Sequence, residues 1–322
     1  YEKKTLLSET SSKTTKLIHG GIRYLENLQF HEVKNGINDR KCWLENFPDE
    51  TKLQEIIVLS KRRFSSEILK FFVGIKIYET FAGRSNIQTG RLYKQEDLLS
   101  FGIKNDIAAG ISFFDGLMQE SVGKEIIKRC KSNGVNFYEN HEIKSIRSEG
   151  FIEEKQYEKI IIATGPWISS FLKQNKIDTN KTIDYIKGSH LIIKRRIKNG
   201  LMFRDQKKQR YIFALPYKGN LLLGTTEQRV STPDDKQVLD SEVSYLLGSI
   251  NIYIDRPISK DEIIESYAGV RPLIKSKAQD FHSSSRDFYI QKDKNLLSLF
   301  GGKWTTAPSI ARNIVKIVNN EF

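Results

Sequence analysis

Near the C-terminal end, Gly301-Gly302-Lys303 is followed by Trp304, Thr305-Thr306 and a segment of helical character. That order makes an anion site. Glycine lets backbone approach a ligand closely, and a helix N-terminus offers unpaired N–H groups and partial positive charge. Arg271 stands before Pro272, which holds its backbone extended. An arginine fixed in that way suits a bidentate grip on phosphate or carboxylate. His19 precedes the pair Gly20-Gly21, with Arg23 and Tyr24 just after it, and His190 ends a Lys-Gly-Ser-His run at the start of an apolar stretch. His31, His141 and His282 have no such neighbours. Alone, each signal is weak: many helices begin after glycine, and most single histidines are structural.

These residues need elements to hold them. Residues 22–28 read as helix after the glycine break, residues 33–70 are polar, lysine-rich and helix-favouring, and Gly83–Gly110 is loop-rich. An amphipathic helix is expected from Asp115, with Met118, Val122, Ile126 and Cys130 on one face, Asp115 as its cap and Asn133-Gly134 as its end. A strand is expected at VNFYEN, then a hairpin from Phe151-Ile152 and Tyr157–Ala163, as in a parallel α/β layer. From Ile183 to Thr226, three apolar runs separated by turn residues read as an antiparallel meander, the mark of a second, sheet-based domain. A helix follows near Ser241–Ile250, and the last helix carries Pro308 in its first turn, where the missing N–H costs little.

Composition narrows the partners. The chain has 322 residues, 39% of them hydrophobic, enough for two domains with buried cores. Its net charge of +13 comes from lysine and arginine scattered along the whole length. No zinc-finger or other metal-ligand spacing, aromatic-rich basic motif or helix-turn-helix is present, so no metal is implied and nucleic acid is not the expected partner. An anionic small molecule or an anionic membrane surface fits the charge. Cys42 and Cys130 lie far apart with no disulfide pattern, which fits a reducing, cytoplasmic compartment. No apolar run approaches the roughly 20 residues of a membrane helix.

Taken in order, TSSKTTKLIHGGIRYLE, ATGPW, IKGSHLII, YIFALP, GTTE, AGVRPL and FGGKWTT resemble the FAD-dependent glycerol-3-phosphate dehydrogenases nearly end to end. The first block is specific to that family and its oxidase relatives. ATGPW and the glycine pair before Lys303 are shared across the amino-acid-oxidase-like flavoproteins. The resemblance implies an α/β protein with a Rossmann-type FAD domain, here residues 1–35, 105–182 and 262–322, and an antiparallel-sheet substrate domain, here 36–104 and 183–261.

For FAD it implies Glu2 at the adenosine ribose, and Thr10, Ser11, Ser12, Lys16, Leu17 and His19 beneath the flavin and pyrophosphate. It implies Ile143 at the adenine, Thr164-Gly165 at the phosphates, and Gly301, Gly302, Lys303, Trp304 and Thr305 at the flavin pyrimidine edge. For glycerol 3-phosphate it implies Arg23, Tyr24, Arg271, Arg286 and Lys303. The reaction is hydride transfer from C2 to the flavin, with His190 as first candidate base and His19 as second. Electrons would pass to quinone, on a cytoplasmic or membrane-peripheral protein, with a homodimer among its expected states.

No Gly-x-Gly-x-x-Gly turn occurs in the sequence. Counting back from TSSKTTKLIHGG sets the ribose acid on Glu2. The chain is therefore expected to start at the tip of the second strand of the dinucleotide fold, short of on the order of 30 residues, and to bind FAD weakly as given. After Thr306 come Ala307-Pro308-Ser309 and a single helix, where many relatives carry a further domain. Three alternatives stay open: a glycerol-3-phosphate oxidase using oxygen, a flavin enzyme for another anionic hydroxy compound, and an FAD-less binding module.

Overall fold

The computed structural model describes residues 1–22, 30–62, 66–82, 88–205, 210–275 and 288–319. In chain order the strands are β1 (Leu17–Ile18), β2 (Thr51–Ser60), β3 (Leu92–Lys94), β4 (Ala109–Met118), β5 (Ile146–Arg147), β6 (Phe151–Ile152), β7 (Lys155–Gln156) and β8 (Ile160–Ile162). They continue as β9 (Ile183–Ile193), β10 (Gly200–Asp205), β11 (Arg210–Tyr217), β12 (Asn220–Gly224), β13 (Gln228–Val230), β14 (Ile263–Ile274), β15 (Phe288–Asp293) and β16 (Leu296–Gly301). The helices are α1 (Phe30–Asn46), α2 (Ser66–Ala82), α3 (Gln95–Ser100), α4 (Ser121–Ser132), α5 (Ile168–Gln174), α6 (Asp240–Asn251) and α7 (Ala307–Asn319).

Ten strands form one sheet in the order β1-β4-β2-β10-β11-β12-β9-β13, with β14 also on β9 and β3 also on β4. The three expected runs are β9, β11 and β12; an unexpected strand, β10, pairs with β11, and β9 pairs with β12 and not with the strand that follows it. The sheet buries both faces. On one, Leu191, Ile193, Phe203 and Ile212 pack with Leu246, Leu247 and Ile250 of α6. On the other, Ile56, Val58, Ile111 and Phe113 pack with Val33 and Ile37 of α1 and Phe71, Ile75 and Tyr78 of α2. Two three-stranded sheets, β15-β16-β8 and β5-β6-β7, complete a mixed α/β architecture. The large sheet takes strands from both sides of the expected domain division, since β1, β4 and β14 lie in it with β2 and β9–β13.

Several local expectations need correcting. Within the helix-favouring stretch 33–70, α1 is followed by β2, whose ten residues pair with β4 and whose apolar Ile56–Val58 also pair with β10. The run Ile56-Ile57-Val58-Leu59 is itself strand-favouring, a local signal masked by the polar sequence around it. The helix expected from Asp115 starts at Ser121, because residues 109–118 complete β4. Asp115 is a buried strand residue and caps nothing. The end of that helix is as expected, with Asn133 as C-cap and Gly134 at φ +80°.

VNFYEN forms no strand. Its end is bonded to residues 2–6 (Glu2 N–H to Tyr138 O, Asn140 N–H to Lys4 O, Leu6 N–H to Glu139 Oε1), too few backbone pairs for a ladder. The hairpin partner of Phe151-Ile152 is Lys155-Gln156, while Ile160–Ile162 pairs parallel with β16.

Candidate active site

The site is built on the pairing of β9 with β14. Antiparallel register sets Gly188 opposite Gly269, His190 opposite Tyr267 and Ile186 opposite Arg271. Opposed residues share a face, so the two glycines form a flat floor with His190 and Tyr267 on one side and Arg271 on the other. Both glycines are required by what lies over them. A Cβ on Gly188 would stand 2.3 Å from Arg271 Nη2, and one on Gly269 would stand 2.8 Å from the Lys13 carbonyl oxygen.

Arg271 is held by three acceptors. Its Nη1 donates to Glu227 Oε1 (3.1 Å), and its Nη2 to Thr226 O (3.2 Å) and Thr225 Oγ1 (3.3 Å). Arg210 approaches the other Glu227 oxygen at 3.8 Å, so two cations share that carboxylate.

His190 is only 2% exposed. Its ring stacks on Tyr267, with centroids 4.9 Å apart and planes at 21°. Nε2 lies 3.0 Å from Thr15 Oγ1, and buried Nδ1 has no hydrogen-bond partner. Burial, reinforced by the positive charges of Arg271, Lys16 and Arg210 and tempered by the Gly188 backbone, lowers its pKa to about 3. The imidazole is therefore neutral at ordinary pH.

Residues 10–16 cross the floor. Thr10 Oγ1 donates to Val270 O (3.0 Å), Ser12 Oγ to Glu9 O (2.9 Å), and Tyr267 OH to Thr14 O (2.8 Å). Lys16 is buried with φ +60°. Its Nζ donates to Ser12 O (2.6 Å) and lies 3.7 Å from Glu120. Burial pushes the Lys16 ammonium below its usual range. Leu17 continues into β1 opposite Leu117. His19 is half-buried, and Gly20 and Gly21 are buried.

The second turn reaches the same neighbourhood. Gly301 and Gly302 adopt φ +72° and +86°. Lys303 N–H donates to Thr306 Oγ1 (3.2 Å) at the start of α7, and Trp304 Nε1 donates to Ser11 O. Buried Thr305 accepts Trp43 Nε1 at its carbonyl (3.1 Å).

Thus the structure gathers residues 10–19, His190, Arg271 and 301–305. Glu2 and Ile143 have other neighbours. The Glu2 carboxylate accepts Lys4 N–H (2.9 Å), and Ile143 packs on the Ile146–Ile160 cluster. Thr164 is exposed, and Gly165 turns at φ +56°. Arg23, Tyr24 and Arg286, like His282, lie outside the described residues. Sequence reasoning missed Thr15, Tyr267, Glu227 and the glycine floor. Thr15, Glu227, Gly188 and Gly269 all lie in motifs of the resemblance but were not singled out there; Tyr267 lies outside them.

The residues present fit the flavin half of an FAD molecule. The positive-φ turn at Gly301-Gly302 leading to a helix N-terminus, and an orphaned buried imidazole nitrogen, suit a hydrogen-bonding ring. Residues 10–16 and 301–305 would hold it.

The class of protein follows from this fold and site together with a sequence match. The profile of the FAD dependent oxidoreductase (DAO) family matches residues 1–317, and the chain belongs to that family. Among curated proteins it is similar to a glycerol-3-phosphate dehydrogenase of Pseudomonas tolaasii, 28% identical across 97% of this chain and 64% of that protein. An aerobic glycerol-3-phosphate dehydrogenase of Staphylococcus epidermidis is 28% identical across 96% of this chain and 60% of its own length. The chain thus spans less than two thirds of these relatives. Its fold is shared with the L-alpha-glycerophosphate oxidase of Mycoplasma pneumoniae (TM-score 0.76, 20% identity, 99% of this chain and 87% of that one). It is shared too with the FAD-complexed glycerol-3-phosphate dehydrogenase of Bacillus halodurans (TM-score 0.74, 20% identity, 99% and 58%).

Proposed function

We propose that this chain carries the catalytic part of an enzyme that uses FAD to oxidise glycerol 3-phosphate to dihydroxyacetone phosphate and passes the electrons to quinone. The observation that carries this reading is the placement of Arg271 and His190 on one sheet face, either side of the Gly188–Gly269 floor. The names of the curated relatives support the substrate.

FAD, when bound, accepts the C2 hydride. Arg271, oriented by Glu227, Thr225 and Thr226, grips the substrate phosphate by charge-assisted bonds. Lys303 beside the α7 N-terminus adds positive charge. With its proton on Nε2, His190 donates to Thr15 Oγ1 (3.0 Å) and keeps the Nδ1 lone pair for the C2 hydroxyl proton. A second reading assigns the proton to His19, favoured by its half-exposed position.

A turnover assay on the FAD-loaded protein tests the function. Glycerol 3-phosphate should be oxidised at least about tenfold more efficiently than glycerol, as one lost charge-assisted bond requires. Reduction of a quinone analogue should outpace oxygen uptake. Equal turnover of glycerol would sink the phosphate pocket, and faster oxygen uptake would make the protein an oxidase.

The proposed partner surface is an anionic membrane. No helix among the described residues is long and apolar enough to cross a bilayer. The outer face of α2, however, exposes Leu69 (63%), Val73 (49%), Phe81 (42%) and Phe72 (37%), with Lys70 and Lys76 alongside. Apolar anchors flanked by lysines suit a helix lying in a lipid headgroup layer. Co-sedimentation with phosphatidylglycerol vesicles should fall at least about tenfold in Leu69→Glu/Val73→Glu, since each loses a buried side chain worth about 1.5–3 kcal/mol.

A further inference from the structure

Two turns of the candidate site, His19–Gly20–Gly21 and Lys303–Thr306, come from opposite ends of the chain, yet both are held by the same helix. The first is gripped at Gly20 on three sides. Its N–H donates to Asp115 Oδ1 (2.8 Å). A Cβ on Gly20 would stand 2.0 Å from the Tyr78 hydroxyl oxygen, and a Cβ on Gly36 of α1 would stand 2.8 Å from the Gly20 carbonyl oxygen. Asp115 is itself fixed, since the same oxygen accepts Arg40 Nη1 (2.9 Å) and Tyr78 OH (2.8 Å). Arg40, also on α1, is tied further to Phe114 O (3.0 Å).

The second turn is held one residue earlier and one turn later on α1. Asp39 Oδ1 accepts Ser309 Oγ (2.6 Å) and Arg312 Nη2 (2.9 Å) from α7. Trp43 donates to Thr305 O and meets the Trp304 ring edge-on at 5.4 Å.

These polar groups are costly to bury. Asp39, Arg40 and Asp115 are at most 2% exposed, and Asp39 Oδ2 and Arg40 Nη2 have no hydrogen-bond partner. Apolar residues of similar volume commonly stabilise such a site as well or better than a buried ion pair. What charge supplies here is direction: an oxygen that accepts one particular backbone N–H at one particular place.

We infer that α1 is a positioning bracket, with Arg40 acting through Asp115 on the Gly20 turn and Asp39 with Trp43 acting on the Lys303–Ser309 segment, so that one rigid helix sets where both turns lie. The catalytic consequence rests on the function proposed above, but the bracket itself does not. None of Asp39, Arg40, Trp43 or Asp115 is offered as a catalytic residue.

The test has two arms. Hydrogen exchange on the flavin-free chain should show that Asp115→Asn accelerates the amides of Ile18–Ile22 at least tenfold and leaves Lys303–Ser309 unchanged. Asp39→Asn should do the reverse. In the FAD-loaded protein, each variant should shift the flavin absorption band and lower kcat about 10–100-fold with KM within about threefold, the loss expected for misplaced reacting groups. Should Asp115→Asn fail to fold, Tyr78→Phe removes one of the three donors to Asp115 Oδ1 and should move the same readouts in the same direction by less. Unchanged exchange in both segments overturns the bracket, as does a variant whose melting temperature falls while its spectrum and its kcat per bound flavin match the wild type. If no substrate turns over at all, the exchange arm still decides the bracket, and the proposed activity fails separately.

Discussion

Strand β9 has two faces that are finished differently. On one, Lys187 and Ser189 point toward α6, where Glu242 accepts Lys187 Nζ (2.8 Å), Ser189 Oγ (2.8 Å), Thr226 Oγ1 (2.7 Å) and the Leu239 N–H (3.1 Å). On the other, at the alternate residues Gly188 and His190, there is a flat floor and an imidazole with one nitrogen unpartnered. Side chains one residue apart point to opposite sides of a strand. The difference teaches that a single strand can complete its hydrogen bonds on one face and leave one nitrogen unpartnered on the other. Buried polar groups are normally satisfied, so the unpartnered His190 Nδ1 is the atom on this strand to test.

The comparison breaks most plainly at His190. His190→Gln should lower kcat about 10²–10⁴-fold, the usual contribution of a general base, while flavin stays bound. His19→Gln should mainly loosen or perturb the flavin. Because the His190 pKa is lowered to about 3, the wild-type rate should show no histidine limb near neutral pH. A full kcat in His190→Gln would return His190 to the structural residues and move the base to His19.

Glu242→Gln attacks the finished face. It leaves the Lys187 ammonium buried without its charge partner, so stability measured by denaturant unfolding should fall by about 3–5 kcal/mol. The kcat of the protein that remains folded should change less than about threefold, well below the His190 effect. A large kcat loss with little loss of stability would erase the distinction between the faces.

Arg271→Ala should act on binding alone. The expected result is a KM for glycerol 3-phosphate raised at least about tenfold, from a lost charge-assisted bond worth about 1.5–3 kcal/mol, with FAD content unchanged. Steady-state kinetics beside flavin absorbance would reveal any coupled loss.

The smallest effect is a slope. His190 has a folded pKa of about 3, below its ordinary value of 6.5. Between those values the unfolded chain binds the extra proton. The stability associated with the neutral ring is therefore complete above about pH 6.5 and is lost as pH falls toward 3, at up to about 1.4 kcal/mol per pH unit. Unfolding curves at pH 7 and pH 5 should differ less in His190→Gln than in the wild type.

Some of this was legible beforehand and some was not. The three strands β9, β11 and β12, α6, the Asn133-Gly134 stop and the last helix with Pro308 in its first turn all rest on local signals, and they stand in the structure, although β10 between them was missed. Family-like motifs led to His190 and Arg271, and the structure puts those two on one face. What failed depended on distant partners. Asp115 looked like a cap because a polar residue preceded an apolar stripe, but its place is set by Arg40 and Gly20, 75 and 95 residues away. β2 is an exception: its Ile56–Leu59 run was a local strand signal, overlooked within a polar, lysine-rich stretch. The glycine floor needs the β9–β14 register, which neither segment carries by itself.

One join in the large sheet has a consequence for how the protein is made. β2 pairs with β4 on one side, but its other edge pairs parallel with β10, a separation of 144 residues where Gln54 meets Lys198. At about 5–20 residues per second, the ribosome needs roughly 7–30 s to deliver that partner. Through that interval the Ile56–Val58 edge is an open template for any passing strand. Slower synthesis at lower temperature lengthens the wait, whereas a holdase chaperone shields it. Soluble yield should therefore respond more to chaperone supply than to cooling.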